Sequence, residues 1–375
     1  MTVLGALAHT TTTRPQAAIW DVPWSSTPTY AGVDVNNDTA FQLLTVYGCV
    51  RFICDGISTL PVDVHRKRGD TATTLETPTI IASPAIGIDF VEWATQFLSS
   101  LLIDGNFYAH KLYRGSQLVE AVPLDPGCVQ INYEGSRKRY YVDGVPRDPF
   151  EILHVRGIMW PGSDLGLSPL EAARQSIGVG VSAQEYAARF FGDDSTPPGV
   201  IELAGEATPD TMREMARAWS KAHSGKSKRS LPGVLAGGAQ WKPTAVTNEQ
   251  AQFLQTRKFT ASEIAAQMFL IDPSEMGIGV EGQSLTYANL EQRNARKVQV
   301  TFLPWIIRLE RALTSLLPRP QYVKLNVNGL LRGDTGSRFT AYETGIRSGF
   351  LVPNEARALE DMPPLPPGVP NEPDL

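Results

Sequence analysis

The stretch GIGVEGQS, Gly277 to Ser284, decides how the chain is read, because two phosphate-binding patterns overlap on it. Gly277, Gly279 and Gly282 spell G-x-G-x-x-G. The same residues spell G-x-x-x-x-G-K-S, with Gln283 in place of the lysine. A dinucleotide fingerprint needs a strand before it and an acidic residue about 20 positions on. Here a helical pattern and LIDPSEM precede it, and no acid stands near Phe302. A P-loop uses its lysine charge on the phosphates, and Gln283 has none. Asp272, Glu275 and Glu281 would repel phosphate. The stretch therefore reads as an acidic, glycine-rich loop between two helices. The alternative function is a nucleotide-dependent DNA-remodelling enzyme built on residues 277–284.

The flanks are helical. NEQAQFLQTRKFTASEIAAQMF lies upstream, with Thr247 and Gln250 as its cap pair. Downstream runs SLTYANLEQRNARKVQVTFLPWIIRLERALTSLL, a helix of about 50 Å at 1.5 Å per residue. Its first half is polar and carries Arg293, Arg296 and Lys297; its second half is apolar. Pro304 removes one backbone donor and predicts a kink.

Toward the N-terminus, Val46, Val50, Ile53, Ile57 and Leu60 recur at helical spacing and Pro61 ends the run. PVDVHRKR alternates as a strand. Asp89 with Glu92 makes a capping box for a second helix, whose core face is Phe90, Trp93, Phe97 and Leu101. From 106 to 157, short strands are separated by RGS, DPG and EGSRK, which are hairpin signals. Ser168, Pro169 and Glu171 then start a helix that ends at Gly192. TPPGVIELAG reads as a strand and Thr208-Pro209-Asp210 as a helix start. GKSKRS is a basic loop, and LPGVLAGGAQWKP gives two short strands. Met1 to Asp38 reads as an arm, either a flexible tail or a segment that docks on a neighbour through Trp20 and Trp24. The Pro-rich end, MPPLPPGVPNEPDL, need not pack.

Composition limits the chemistry. The chain has 375 residues, 42% of them hydrophobic, and a formal net charge of -5. That balance argues for a folded body of two or three domains and against a broad basic footprint for nucleic acid. Any DNA contact is expected to be weak or local. Cys49, Cys54 and Cys128 read as core thiols in a reducing compartment. No run of about 18 apolar residues exists, so no membrane span is expected. The five histidines show no ligand spacing, so no metal or cofactor is predicted. SGKS at 224–227 reads as a solvated loop, and Asp193-Asp194 as a turn. There is no nucleophile elbow, and no enzyme is expected. Arg293, Arg296 and Lys297 on neighbouring turns suit phosphate contact, a solvated face, or salt bridges to an adjacent subunit.

The ordered set of segments resembles the portal protein family of tailed bacteriophages. It is carried by TVYGCVRFICDGISTLPVDVHRK, LLIDGNFYAHKLYRGSQLVEAVPLDPGCVQI, EILHVRG and GLSPLEAARQSIGVGVSAQEYAARFFGDDSTPPGVIEL. AQFLQTRKFTASEIAAQMFLIDPSEMG, SLTYANLEQRNARKVQVTFLPWIIRLERAL and GFLVPNEARALEDMPPLPPG complete it. The resemblance implies an α+β protomer with an α/β wing, a two-helix stem, a small α/β clip, a long kinked wing helix and a short C-terminal tail. By position, 1–38 is the arm, 39–167 the wing, 168–191 and 248–269 the stem helices, and 192–247 the clip. Residues 270–284 are the tunnel loop, 285–345 the long wing helix and a returning strand, and 346–375 a short crown or tail.

The resemblance further implies a ring of about twelve copies at one capsid vertex of the virion, assembled in the host cytoplasm. Double-stranded DNA would pass through it. The terminase large subunit, the head-tail adaptor and the major capsid protein would dock on it. On that reading the channel segment is Asp272, Glu275, Met276, Gly277, Ile278, Gly279, Val280, Glu281, Gly282 and Gln283. The docking surface of the clip includes Lys226, Lys228, Arg229 and Trp241. The loop's three acids, with no cation among them, would keep affinity for a passing polyanion low.

Overall fold

The computed structural model describes residues 29–69, 71–134, 137–192, 199–202, 208–223, 240–243, 248–278, 287–327, 335–360 and 362–366. Within these, the expected α+β order is present. Helices α1 (Asn37–Gln42) and α2 (Leu44–Ser58) lead into strands β1 (Val62–Arg68) and β2 (Thr71–Leu75). The one-turn α3 (Thr79–Ala82) and α4 (Phe90–Ile103) follow. Next come β3 (Asn106–Arg114), β4 (Gln117–Leu124), β5 (Val129–Glu134), β6 (Arg137–Val142), β7 (Val145–Arg147) and β8 (Ile152–Arg156).

The capping box at α4 is present. Asp89 Oδ1 accepts from the Glu92 amide at 2.8 Å, and Glu92 returns a bond to the Asp89 amide. The alternation of PVDVHRKR places Val64 in the core and pairs β1 with β2 on one side and β11 on the other, both antiparallel. A second three-stranded sheet has the order β4-β3-β8 and a third β5-β6-β7.

The main core forms where α2 crosses α4. Trp93, Phe97 and Phe107 meet with centroids 4.9–5.7 Å apart, all within 1% of full burial. Such rings bury large apolar area, and the one polar atom of Trp93, Nε1, donates to the Ala121 carbonyl at 2.8 Å. Cys49 and Cys54 sit in this core as free thiols, both pushed up to about 12 by burial. A smaller core joins Tyr108, Val129, Tyr140 and Ile152.

The stem-like helices differ from a single continuous rod. The first is broken at Ala173 into α5 (Pro169–Ala172) and α6 (Arg174–Gly192). Tertiary anchoring accounts for the break. Ser168 caps α5 through Glu171 and also donates to the Ile103 carbonyl at 2.9 Å, while Arg174 reaches back to Glu171. Strand β9 (Gly199–Glu202) pairs antiparallel with β10 (Gln240–Pro243), and α7 (Pro209–His223) lies between them in sequence. The second strand expected within LPGVLAGG, at 231–238, lies outside the described residues. Helix α8 (Asn248–Glu263) packs on α6 and ends in a π-turn, Ile264–Met268. Its expected cap, Thr247, also lies outside the described residues. Gly180 of α6 makes this approach possible. A Cβ there would stand 2.9 Å from Leu43 Cδ2 and 3.5 Å from Thr260 Cγ2.

The long helix is likewise interrupted. Helix α9 (Tyr287–Arg296) passes through a π-turn, Lys297–Phe302, into α10 (Leu303–Ser315). The π-turn sits just ahead of Pro304, whose missing N–H and bulky ring an unbroken α-helix cannot accommodate. Strand β11 (Gln321–Leu325) returns to β1, and the buried Glu310 accepts from its Leu325 amide at 3.0 Å. Two helices close the chain, α11 (Thr335–Arg347) and α12 (Pro353–Leu359). The Pro-rich end was expected not to pack. In the structure its first residues fold back on α12: Arg357 Nε donates to the Pro363 carbonyl, and the Leu365 amide donates to Asn354, both at 2.8 Å.

Candidate functional site

The segment leaving α8 is built by local rules and then pinned by three other elements. After the π-turn the backbone reverses at Leu270, whose φ of +54° is rare for a residue with a side chain. Two bonds hold that strained turn. The Leu270 carbonyl accepts from the buried Thr301 hydroxyl at 2.5 Å, and the Ile271 amide returns to the Ala265 carbonyl at 2.9 Å. Asp272 then caps a 3-10 turn, Pro273–Met276, accepting from the Ser274 amide at 3.0 Å and its hydroxyl at 2.8 Å. Gly277 closes the turn with φ +71°, a conformation that costs glycine little. Met276 lies against Gly48 of α2, where a Cβ would stand 2.8 Å from the Met276 Cε.

Gly277 therefore ends a 3-10 turn that follows a helix. The strand-to-helix crossover of a dinucleotide site is not the local geometry here.

The charges of this segment are not what the loop sequence alone implied. Glu275 pairs with Lys297 of the long helix at 2.8 Å, and both side chains are 23% exposed. Lys297 also lies 5.6 Å from the Phe52 ring centroid. Burial pushes the Asp272 carboxyl up, but its bonds from Ser274 and the nearby Arg293 and Arg296 outweigh that and hold it below the usual carboxylate range. The expectation of a loop with acids and no cation is thus corrected for its described part. Cations from a helix more than a dozen residues downstream balance Asp272 and Glu275. These groups line a cleft of about 460 Å³, together with Phe52, Leu270 and Val300.

The rest of the predicted channel segment, Gly279, Val280, Glu281, Gly282 and Gln283, lies outside the described residues, as do Lys226, Lys228 and Arg229. Trp241 is in β10, in register with Ile201 of β9. Among the described residues no cluster of His, Cys, Asp or Glu could hold a metal, and no helix is long and apolar enough to cross a membrane.

Sequence reasoning missed the joint that ties the wing-like sheets to the stem-like helices. Asn106, 5% exposed, is its centre. Its Oδ1 accepts from the Gly166 amide at 2.6 Å and faces His154 Nε2 at 3.2 Å, and its Nδ2 donates to the Gly166 carbonyl at 3.1 Å. His154 Nδ1 stands 3.2 Å from the Tyr140 hydroxyl, and its ring stacks on Tyr108 at 4.3 Å. Burial first, then the neighbouring Lys138 and Arg156, lowers His154 to about 3. The ring is neutral, so Nε2–H donates to Asn106 and Nδ1 accepts from Tyr140. Gly105, at φ +79°, lets the Leu167 backbone come so close that a Cβ would stand 2.0 Å from its carbonyl oxygen. A conspicuous N-G pattern might have flagged a turn, but Gly105-Asn106 reads only as a helix stop.

Comparison with known proteins adds an independent line. The family model described as phage portal protein matches residues 44–361. A probable portal protein of Streptomyces phage phiC31 is 30% identical over 361 residues, covering 90% of this chain and 79% of that protein. The portal protein of Enterobacteria phage HK97 is 28% identical over 352 residues, covering 89% and 82%. A chain in the neck of a native gene transfer agent particle, computed with C12 symmetry, aligns with a TM-score of 0.60 at 20% identity. That alignment covers 87% of this chain and 92% of its counterpart.

Proposed function

Because the chain belongs to the phage portal protein family, we propose that about twelve copies close into a ring at one capsid vertex and conduct double-stranded DNA. The ring is assembled in the host cytoplasm, and its role is structural rather than enzymatic. Residues 270–284 face the channel. The β9–β10 region, with Lys226, Lys228, Arg229 and Trp241, receives the terminase large subunit and then the head-tail adaptor. The wing contacts the major capsid protein.

One observation carries the account of the channel: the half-buried Glu275–Lys297 pair at the base of the loop. A conduit must pass a polyanion without holding it. Every phosphate neutralised by a lysine or arginine releases counterions and adds affinity. Lys297 is spent on Glu275, and Arg293 and Arg296 stand beside the Asp272 carboxylate. The base of the loop therefore offers a passing duplex little net positive charge, and being partly buried the pair is screened less by salt than a surface pair.

The test is to release that charge. In Glu275→Gln, Lys297 loses its partner. Binding of duplex DNA to the purified ring is expected to tighten, with the log–log salt slope steeper by about 0.9 for each new phosphate contact. Glu281→Lys should act in the same direction and slow packaging or ejection. An unchanged salt slope in Glu275→Gln would sink the charge-balance account. Electron micrographs of the wild-type chain without a central-holed ring would sink the conduit.

A further inference from the structure

The C-terminal hairpin of α11 and α12 is a module without a core of its own. Among its described residues, 339–366, Ala356 is the one buried hydrophobic side chain. None of these residues joins either hydrophobic core of the chain. Its printed hydrogen bonds stay inside the module: Tyr342 to Glu360 at 2.8 Å, Arg357 to Pro363, and Leu365 to Asn354. A unit of about 30 residues cannot bury enough surface to be stable by itself. Its apolar side is an open groove of about 550 Å³, floored by Phe339, Tyr342, Ile346, Ala356, Met362 and Leu365. Phe339 is 50% exposed and Met362 43%.

The same module carries a projecting aromatic group. Phe350, at the turn between the helices, is 75% exposed. Its ring edge lies 3.4 Å from where a Cβ on Gly345 would stand, so it rides on the Gly345 side of α11. At 3.6 residues per turn, Gly345 points about 130° away from the mean direction of Phe339, Tyr342 and Ile346. Knob and groove thus occupy nearly opposite sides of one small module. A self-complementary dimer would need one patch facing itself. Head-to-tail contacts, the kind that close into rings, need two different complementary patches on opposite sides.

We propose that Phe350 of one copy seats in the α11–α12 groove of the next copy, so that the hairpins form a continuous belt and supply each other's missing core. The inference rests on the ring reading above. An aromatic side chain in a central, desolvated pocket is the kind of group that dominates interface energy, and the groove has the volume for one. The occupant is a second copy of this chain, because the knob that the groove lacks is carried by the chain itself.

The test uses full-length chain in a Cys128→Ser background. Two single variants, Phe350→Cys and Met362→Cys, are mixed before assembly and the rings confirmed by electron microscopy. Mild oxidation is then followed by a denaturing gel. A covalent dimer in the mixed rings, absent from rings of either variant alone, is the expected result. Intact rings that yield monomers only would overturn the hairpin belt and leave the ring standing. If wild-type chains form no ring, the ring reading falls and the belt with it. Should Met362→Cys prevent assembly, Leu365→Cys lines the same groove and replaces it.

Discussion

Acid should loosen the joint between sheets and helices through one side chain, His154. In the folded chain it titrates at about 3, against an ordinary value of 6.5. The sign follows from linkage: the unfolded chain binds a proton that the folded chain refuses, so stability is lost as pH falls below 6.5. The loss is about 2 kcal/mol at pH 5 and approaches about 5 kcal/mol at pH 3. Protonation would also put a second donor at Nδ1 against the Tyr140 hydroxyl, which now donates to it. His154→Gln keeps a donor for Asn106 and removes the titration, although it gives up the stack on Tyr108. Urea unfolding of both proteins at pH 7 and pH 5 measures the effect. Chain concentration must be fixed, because assembly adds to apparent stability. The variant is expected to be weaker than wild type at pH 7 but to lose about 2 kcal/mol less between the two pH values. An equal pH dependence in the two proteins would show that His154 is not the group that refuses the proton.

Two further outcomes test the same architecture. Gly105→Ala places a methyl 2.0 Å from the Leu167 carbonyl oxygen at a backbone φ of +79°; a loss of more than about 3 kcal/mol is expected, read as a collapse in soluble yield or urea midpoint. Cys49 and Cys54, held near 12 by burial, should resist a thiol reagent at pH 8 until urea unfolds the chain; rapid labelling of the native protein would refute their burial.

What the sequence made legible was what a few neighbouring residues decide. Asp89 and Glu92 cap α4 across three positions, and Val64 falls inward because its strand alternates. The portal family was likewise readable from the order of such local pieces. What stayed hidden depends on residues brought together from far along the chain. The π-turn at Lys297–Phe302 leaves no mark on hydrophobic periodicity, and Thr301 within it holds Leu270 from 31 residues away. Asn106 and His154 are 48 positions apart and belong to strands whose pairing no local pattern announces.

The charge of the channel segment is the consequential case. Counted along the loop, Asp272, Glu275 and Glu281 make an anionic finger, and repulsion of DNA follows from the count alone. The fold instead lays Lys297, Arg293 and Arg296 against the first two acids. A balanced base and a bare anionic loop both fail to grip a duplex, but they respond oppositely to substitution. Removing Glu275 from a bare loop would only soften a repulsion, leaving the salt slope flat. Removing it from a balanced base exposes a cation and steepens that slope. The sign of the change in Glu275→Gln therefore separates the two arrangements, and the geometry at Lys297 requires the second.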